Sequence, residues 1–202
     1  MSYTFEFGQD FNLLKEILMS RTDLDYPYQM DNFFDTMGSV TRSELVYFEM
    51  IGIENLPENK KFTLFAKDED GKVVATYGAR VLDFSEYAAF FKIRTEFTNG
   101  IYHNPTMPEG VQWYSSCQWV HSDHRGKRLG IDMDRMKKDK IWELGGDINY
   151  ANCREKLVDY HISSDGLAYD VVQPQAYIPS GGVGGAGSNE DKNYFLVYEI
   201  LT

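Results

Sequence analysis

"VHSDHRGKRLG" occupies Val120 to Gly130. It follows "GVQWYSSCQWV", a run of β-branched and aromatic residues opened by Gly110, which reads as a strand. After it, Leu129 to Leu144 turns helical, with Met133 and Met136 on the face of Leu129, and Gly145-Gly146 stops it. A strand that ends in a glycine-containing loop and opens into a helix brings unpaired N–H groups and the positive end of the macrodipole to one point. Phosphate binds well at such a point. Gly126 and Gly130 allow close backbone approach or positive φ, while Arg125, Lys127 and Arg128 add charge around them. The alternative is a solvated basic loop with ordinary turn glycines, and the letters of the loop alone leave both readings open.

Outward from this loop, the chain alternates helices and strands. "FNLLKEILMSR" places Leu13, Leu14, Ile17 and Leu18 at helical spacing, and "MDNFFDTMG" suggests a second helix capped by Asp31 and stopped by Gly38. Phe62 to Ala66 and Val73 to Leu82 are β-rich runs separated by Asp68, Glu69, Asp70 and Gly71, a hairpin signal. They alternate only in part, which predicts strands buried on much of both faces. Glu86 to Pro108 fits a short helix or a strand. "DINYANC" reads as a strand, "REKLVDYH" as a short helix, "NYFLVYEIL" as a last strand, and "PSGGVGGAGSNEDKN" as a flexible polar loop. The order predicts an α/β protein of mixed α+β type, a mixed sheet with helices on its faces.

The chain of 202 residues suits one domain over residues 1–202. Its net charge of −11 argues against nucleic-acid binding, which needs a broad surplus of Lys and Arg. Arg135, Lys137, Lys138 and Lys140 alternate with Asp132, Asp134 and Asp139, as on a solvated helix face. No apolar stretch approaches the roughly 20 residues that span a bilayer, and "MSYTFEFGQDFNLLKE" has no basic or apolar leader character. The expectation is a cytoplasmic protein without membrane partners. Cys117 and Cys153 each lie in an apolar segment, the usage of buried reduced thiols, although their pairing stays open.

Two phosphate motifs fail on the letters. A Walker loop needs Ser or Thr after its Lys, but Arg128 and Leu129 follow Lys127, and three glycines at Rossmann spacing after an early strand are missing. "WVHSDHRGKRLG" instead resembles the acyl-CoA-binding motif of the GNAT acetyltransferases, a strand ending in Val-His before Arg/Gln-x-x-Gly-x-Gly/Ala and a helix. Arg125 takes the motif's first position, Gly130 its last glycine, and Arg128 departs from its first glycine, which an outward-pointing side chain accommodates. The resemblance implies a GNAT-like fold, with a central, mostly antiparallel mixed sheet flanked by helices. It implies acetyl-CoA (coenzyme A) as acyl donor, with no metal. The loop, Arg125, Gly126, Lys127, Arg128, Leu129 and Gly130, would hold the pyrophosphate, with Gln118, Trp119 and Val120 beside the pantetheine. The acceptor would be an amine of a small molecule or protein, attacked directly in a ternary complex. A homodimer stays open. The alternatives are a longer-chain acyltransferase like the autoinducer synthases, to which "YGARVLDF" is distantly similar, and a non-catalytic acyl-CoA-binding module.

Acyl transfer from a thioester to an amine needs an anion site, a deprotonated amine and a proton for the departing thiolate. The family often supplies that proton from a tyrosine on the helix after the next strand. Tyr160 is that candidate, following Asn152, which resembles the Asn that opens this segment; the other reading is a tyrosine packing its helix onto the sheet. Family members often carry a Glu before the cofactor loop, but Ser115, Ser116 and Cys117 stand there, which leaves His103, Glu109 and His121 as candidate bases. Cys117 as a nucleophile, or Cys117, His121 and His124 as metal ligands, are weaker patterns: no His is placed to activate the thiol, and a fourth ligand at zinc spacing is missing. On the acceptor side, Asp23, Asp25, Asp31 and Asp35 suit a cationic amine or plain solubility, and Phe33, Phe34, Tyr47 and Phe48 suit a pocket or a core. Gly181 to Gly187 fits a surface loop or a flap over substrate.

Overall fold

A computed structural model describes residues 2–20, 52–87, 107–154, 158–162, 171–173 and 194–201. The elements are β1 (Thr4–Gly8), α1 (Phe11–Ser20), β2 (Lys61–Lys67), β3 (Val73–Val81), β4 (Gln112–Val120), α2 (Leu129–Glu143), β5 (Ile148–Arg154), α3 (Val158–Ile162), β6 (Val171–Gln173) and β7 (Tyr194–Ile200), with short 3-10 turns between some of them. The strands form one sheet in the order β1-β2-β3-β4-β5-β7-β6. All its pairings are antiparallel except β4 with β5. The helix expected from Asp31, the aromatic and acidic sets between Asp23 and Phe48, His103 and the glycine loop at 181–187 lie outside the described residues. Of the ambiguous stretch from Glu86 to Pro108, the chain is helical up to residue 87.

Period-two burial explains the layers. Leu64 and Ala66 of β2 and Tyr77 of β3 pack against Leu129 and Met133 of α2. Phe62, Ala79, Trp113 and Ile141 continue that core toward the end of the helix. Phe65 points the other way, into Leu14 of α1 and Trp119 of β4. The central hairpin is therefore buried on both faces, as its weak alternation implies. Its turn is closed by Asp68, whose Oδ1 accepts from the N–H groups of Asp70 and Lys72 at 3.1 and 2.9 Å.

Helix α2 ends in a Schellman motif, with Gly145 N–H donating to Trp142 O and Gly146 N–H to Ile141 O, both at 2.9 Å. Gly146 is required by contact: a Cβ there would stand 2.4 Å from Ile141 Cγ2 and 2.5 Å from Trp113 Cδ1. β1 was not expected from the sequence, although Tyr3, Phe5 and Phe7 alternate with polar residues. It adds an edge strand that lays Phe5 on the α2 core and Phe7 against Phe62.

Candidate active site

Two irregularities in β4 shape the site. Thr76 of β3 is registered with Trp119 and Gly78 with Ser116, so Tyr77 alone faces Cys117 and Gln118. This β-bulge places Cys117 at φ 57, and its displaced carbonyl accepts from Thr76 Oγ1 at 2.9 Å. On its other edge, β4 pairs with β5 over three residues only, the last pair being Tyr114 with Tyr150. Beyond that pair the strands continue, β4 to Val120 and β5 to Arg154, without a registered partner in each other. A parallel pair that parts in this way leaves a V-shaped opening bordered by backbone.

The loop after β4 is braced to itself. His121 N–H donates to Val74 O at 2.8 Å, and His121 Nδ1 accepts from Asp123 N–H at 3.3 Å as the cap of the turn Ser122–His124. Arg125 Nε donates to Val120 O at 2.9 Å and Lys127 Nζ to Asp123 O at 2.7 Å. Tyr3 Oη and His124 Nδ1 are 3.0 Å apart, which ties the loop to the strand edge. Gly126, at φ 73, has open space where a Cβ would stand. Arg128 caps α2 in the left-handed region at φ 62 and ψ 2, with its side chain exposed. That geometry accounts for a glycine preference at its position. Gly130, by contrast, is helical, and a Cβ on it would find nothing closer than 3.5 Å, so neither φ nor crowding within the protein demands glycine there. Helix geometry leaves the N–H groups of Leu129 and Gly130 without intrahelical acceptors, while those of Ile131 and Asp132 bond back to Arg128 O.

Three elements meet at Gly130. A Cβ on it would lie 3.5 Å from Tyr160 Oη, 3.7 Å from Val120 Cγ2 and 3.8 Å from Gln118 Nε2. The end of β4, the N-terminus of α2 and the hydroxyl of α3's tyrosine thus converge where the two strands stand apart.

No protein-family model and no curated protein matches the sequence. Among solved structures, the chain is similar over its whole length to an acetyltransferase of the GNAT family from Staphylococcus aureus, at 12% identity and TM-score 0.52, covering 100% of that chain. The ribosomal-protein-S18-alanine N-acetyltransferase from Escherichia coli is similar at 9% identity and TM-score 0.52, over 100% of this chain and 95% of its own. So is a chain of the NatC complex bound to Gag peptide and CoA, at 12% identity and TM-score 0.52, with 100% of both chains covered. The fold is that of the GNAT acyl-CoA N-acyltransferases.

Within this GNAT fold the expected site residues divide by what they present. Trp119 and Leu129 bury their side chains in the cores under α1 and α2, which leaves their backbone to face the opening. Gln118, Val120, Gly130 and Tyr160 come together, and Arg125, Gly126, Lys127 and Arg128 form an exposed rim. Asn152 stands on β5, registered with Leu196. Tyr160 is 36% exposed, and its pKa is raised by partial burial and by Asp134 and Asp132, against a lowering by Arg128. It therefore carries its proton throughout the neutral range. Glu109 is exposed, and the His121 ring is engaged in the loop turn, so neither meets Tyr160 in a described contact. Cys117 is half-buried. Among the described residues no three His, Cys, Asp or Glu side chains gather as a metal site, and no helix is long and apolar enough to cross a membrane.

Sequence reading missed a polar cluster behind the opening. Asp134, Lys137 and Lys138 of α2, Glu199 of β7, Asn149 of β5 and Ser115 of β4 are all largely or fully buried. The helix charges taken for a solvated face are thus in part interior. Lys137 Nζ lies 2.6 Å from Asp134 Oδ1 and 4.6 Å from the centroid of Tyr77. The available signal was that Asp134 and Lys137 share the helical face of Met133 and Ile141.

Proposed function

We propose that the protein is an acyl-CoA-dependent N-acyltransferase, a single domain over residues 1–202 that transfers acetyl from acetyl-CoA to an amine of a small molecule or a protein. The observation that carries this reading is the convergence at Gly130 of the parted β4, the start of α2 and the Tyr160 hydroxyl. The residues present fit coenzyme A: unpaired N–H groups at a helix start, open space at Gly126 and an exposed basic rim suit a pyrophosphate. When bound, acetyl-CoA would supply the activated thioester.

The N–H groups of Leu129 and Gly130 would hold phosphate oxygens, with Arg125, Lys127 and Arg128 around them. The Gln118–Val120 backbone would lie along the pantetheine and Asn152 would face it from β5. An unpaired N–H of β4 would meet the charge that develops on the carbonyl oxygen. As the amine nitrogen bonds to the acyl carbon and the carbon–sulfur bond breaks, Tyr160 would give its proton to the thiolate sulfur, and the amine would lose its proton to solvent or to a base. A second reading, a CoA-binding module without catalysis, is favoured by the absence of a carboxylate on β4.

Calorimetry with acetyl-CoA and a free-thiol release assay over a panel of amines test both. Binding with amine-dependent thiol release is the expected result. Binding without release over the panel favours the module, and no binding removes both.

A further inference from the structure

The backbone ladder between β4 and β5 ends at Tyr114 and Tyr150, and the next residue of β4 is held by a side-chain bond back to the middle of that ladder. Ser115 Oγ donates to Asn149 Oδ1 at 2.5 Å, and Asn149 is itself registered with Trp113 inside the ladder. Asn149 Nδ2 in turn donates to Glu199 Oε1 on β7 at 3.1 Å, Glu199 Oε2 holds Lys138 Nζ at 2.8 Å, and Lys138 lies 3.0 Å from Asp134 Oδ2. One polar chain thus runs from the strand that borders the opening, across two further strands, into the helix whose N-terminus forms the anion site. Ser115 is 5% exposed and Asn149 fully buried. Buried polar groups of this kind add little stability over apolar residues of the same volume, but they tolerate only one geometry, because a partner lost is a group left unsatisfied. On the opposite face the rings of Tyr114 and Tyr150 pack 5.2 Å apart, so the apex of the opening is filled.

We propose that Ser115 and Asn149 are positioning residues for acyl-chain selectivity: their bond, held from behind by Glu199 and Lys138, limits how far β4 and β5 part and so restricts the cleft to short acyl groups. The inference rests on the acyl-CoA reading above. With the tie cut, β4 is free to leave β5 from Ser115 onward, and a longer chain enters.

The test compares calorimetric affinities for acetyl-CoA and hexanoyl-CoA, which needs no acceptor, in wild type, S115A and S115T. S115A is expected to shift the affinity ratio toward hexanoyl-CoA by about fivefold, the effect of one hydrogen bond. S115T keeps the hydroxyl and is expected to keep the wild-type ratio. Should S115A fail to fold by circular dichroism, S115C fills the same space with a weaker donor and is expected to shift the ratio in the same direction. An unchanged ratio in S115A, or in S115C where that variant stands in, overturns the inference alone, as does an equal shift in S115T. A wild type that binds neither thioester overturns the acyl-CoA reading itself, and this inference with it.

Discussion

Replacing Arg128 with glycine separates two roles that one residue holds at the start of α2. Arg128 sits at φ 62, where a residue with a Cβ is strained by about 1–2 kcal/mol. Glycine removes that strain but gives up about 0.5–1 kcal/mol of chain entropy in the unfolded state. The net gain is about 0.5–1 kcal/mol, or ~1–4 °C in Tm for a chain of this size. Arg128 is exposed and donates no cap hydrogen bond from its side chain, so little else is lost on folding. Its charge, however, belongs to the proposed pyrophosphate rim, so R128G is expected to weaken acetyl-CoA binding by about two- to fivefold at low salt. That difference should fade as ionic strength rises. Thermal melts of wild type, R128G and R128A provide the control, because alanine removes the charge and keeps the Cβ. R128A should show no gain. Equal melting temperatures for R128A and R128G would refute the backbone argument, whatever happens to binding.

Three further expectations follow from single contacts. G146A forces a methyl group into Ile141 and Trp113 beneath the end of α2, and should cost about 1–3 kcal/mol or more in urea unfolding without changing the m value. Y160F should lower the rate constant of thiol release by about 100-fold or more while leaving acetyl-CoA affinity in calorimetry unchanged; unaltered turnover would remove the acid role. Burial pulls the pKa of Lys138 down, but Asp134 and Glu199 together outweigh it and leave it raised. A raised lysine contributes stability that is fully present below the ordinary lysine value and is lost as pH rises through the folded one. Alkaline unfolding should therefore be less steep in K138M than in wild type, as followed by circular dichroism from neutral pH upward.

What the sequence made legible is local. The Asp68–Gly71 turn, the Gly145-Gly146 stop and the strand ending at Val120 are each written in a few adjacent residues, because turn chemistry and helix capping act over one turn of chain. The loop from Arg125 to Gly130 was readable for the same reason, including the position at which Arg128 departs from glycine. The features that make an opening of it were not. That β4 meets β5 for three residues and then parts depends on strands more than 30 positions apart, and the bulge at Cys117 carries no glycine to announce it. Asn149 and Glu199 are 50 residues apart, and their contact exists only because β5 and β7 are neighbours. Lys137 and Lys138 resembled a solvated face because alternating charges on a helix usually are one; α2 instead turns that part of its surface onto the sheet.

The same cluster bears on how the proposed anion site fits a chain of net charge −11. Asp134 and Glu199, both buried, are matched by Lys137 and Lys138, so the interior beneath α2 contributes no net charge to the field at its N-terminus. Along the described residues 121–132, Arg125, Lys127 and Arg128 stand against the exposed carboxylates of Asp123 and Asp132, a surplus of one cation, added to the positive end of the helix. At physiological ionic strength charges beyond about 8 Å are largely screened. Acidic residues farther from the loop than that are silent at this point, and the charges along the loop set the sign. The acidic composition and the proposed anion site are compatible because the first is a sum over the whole chain, and the second is set within one turn of helix.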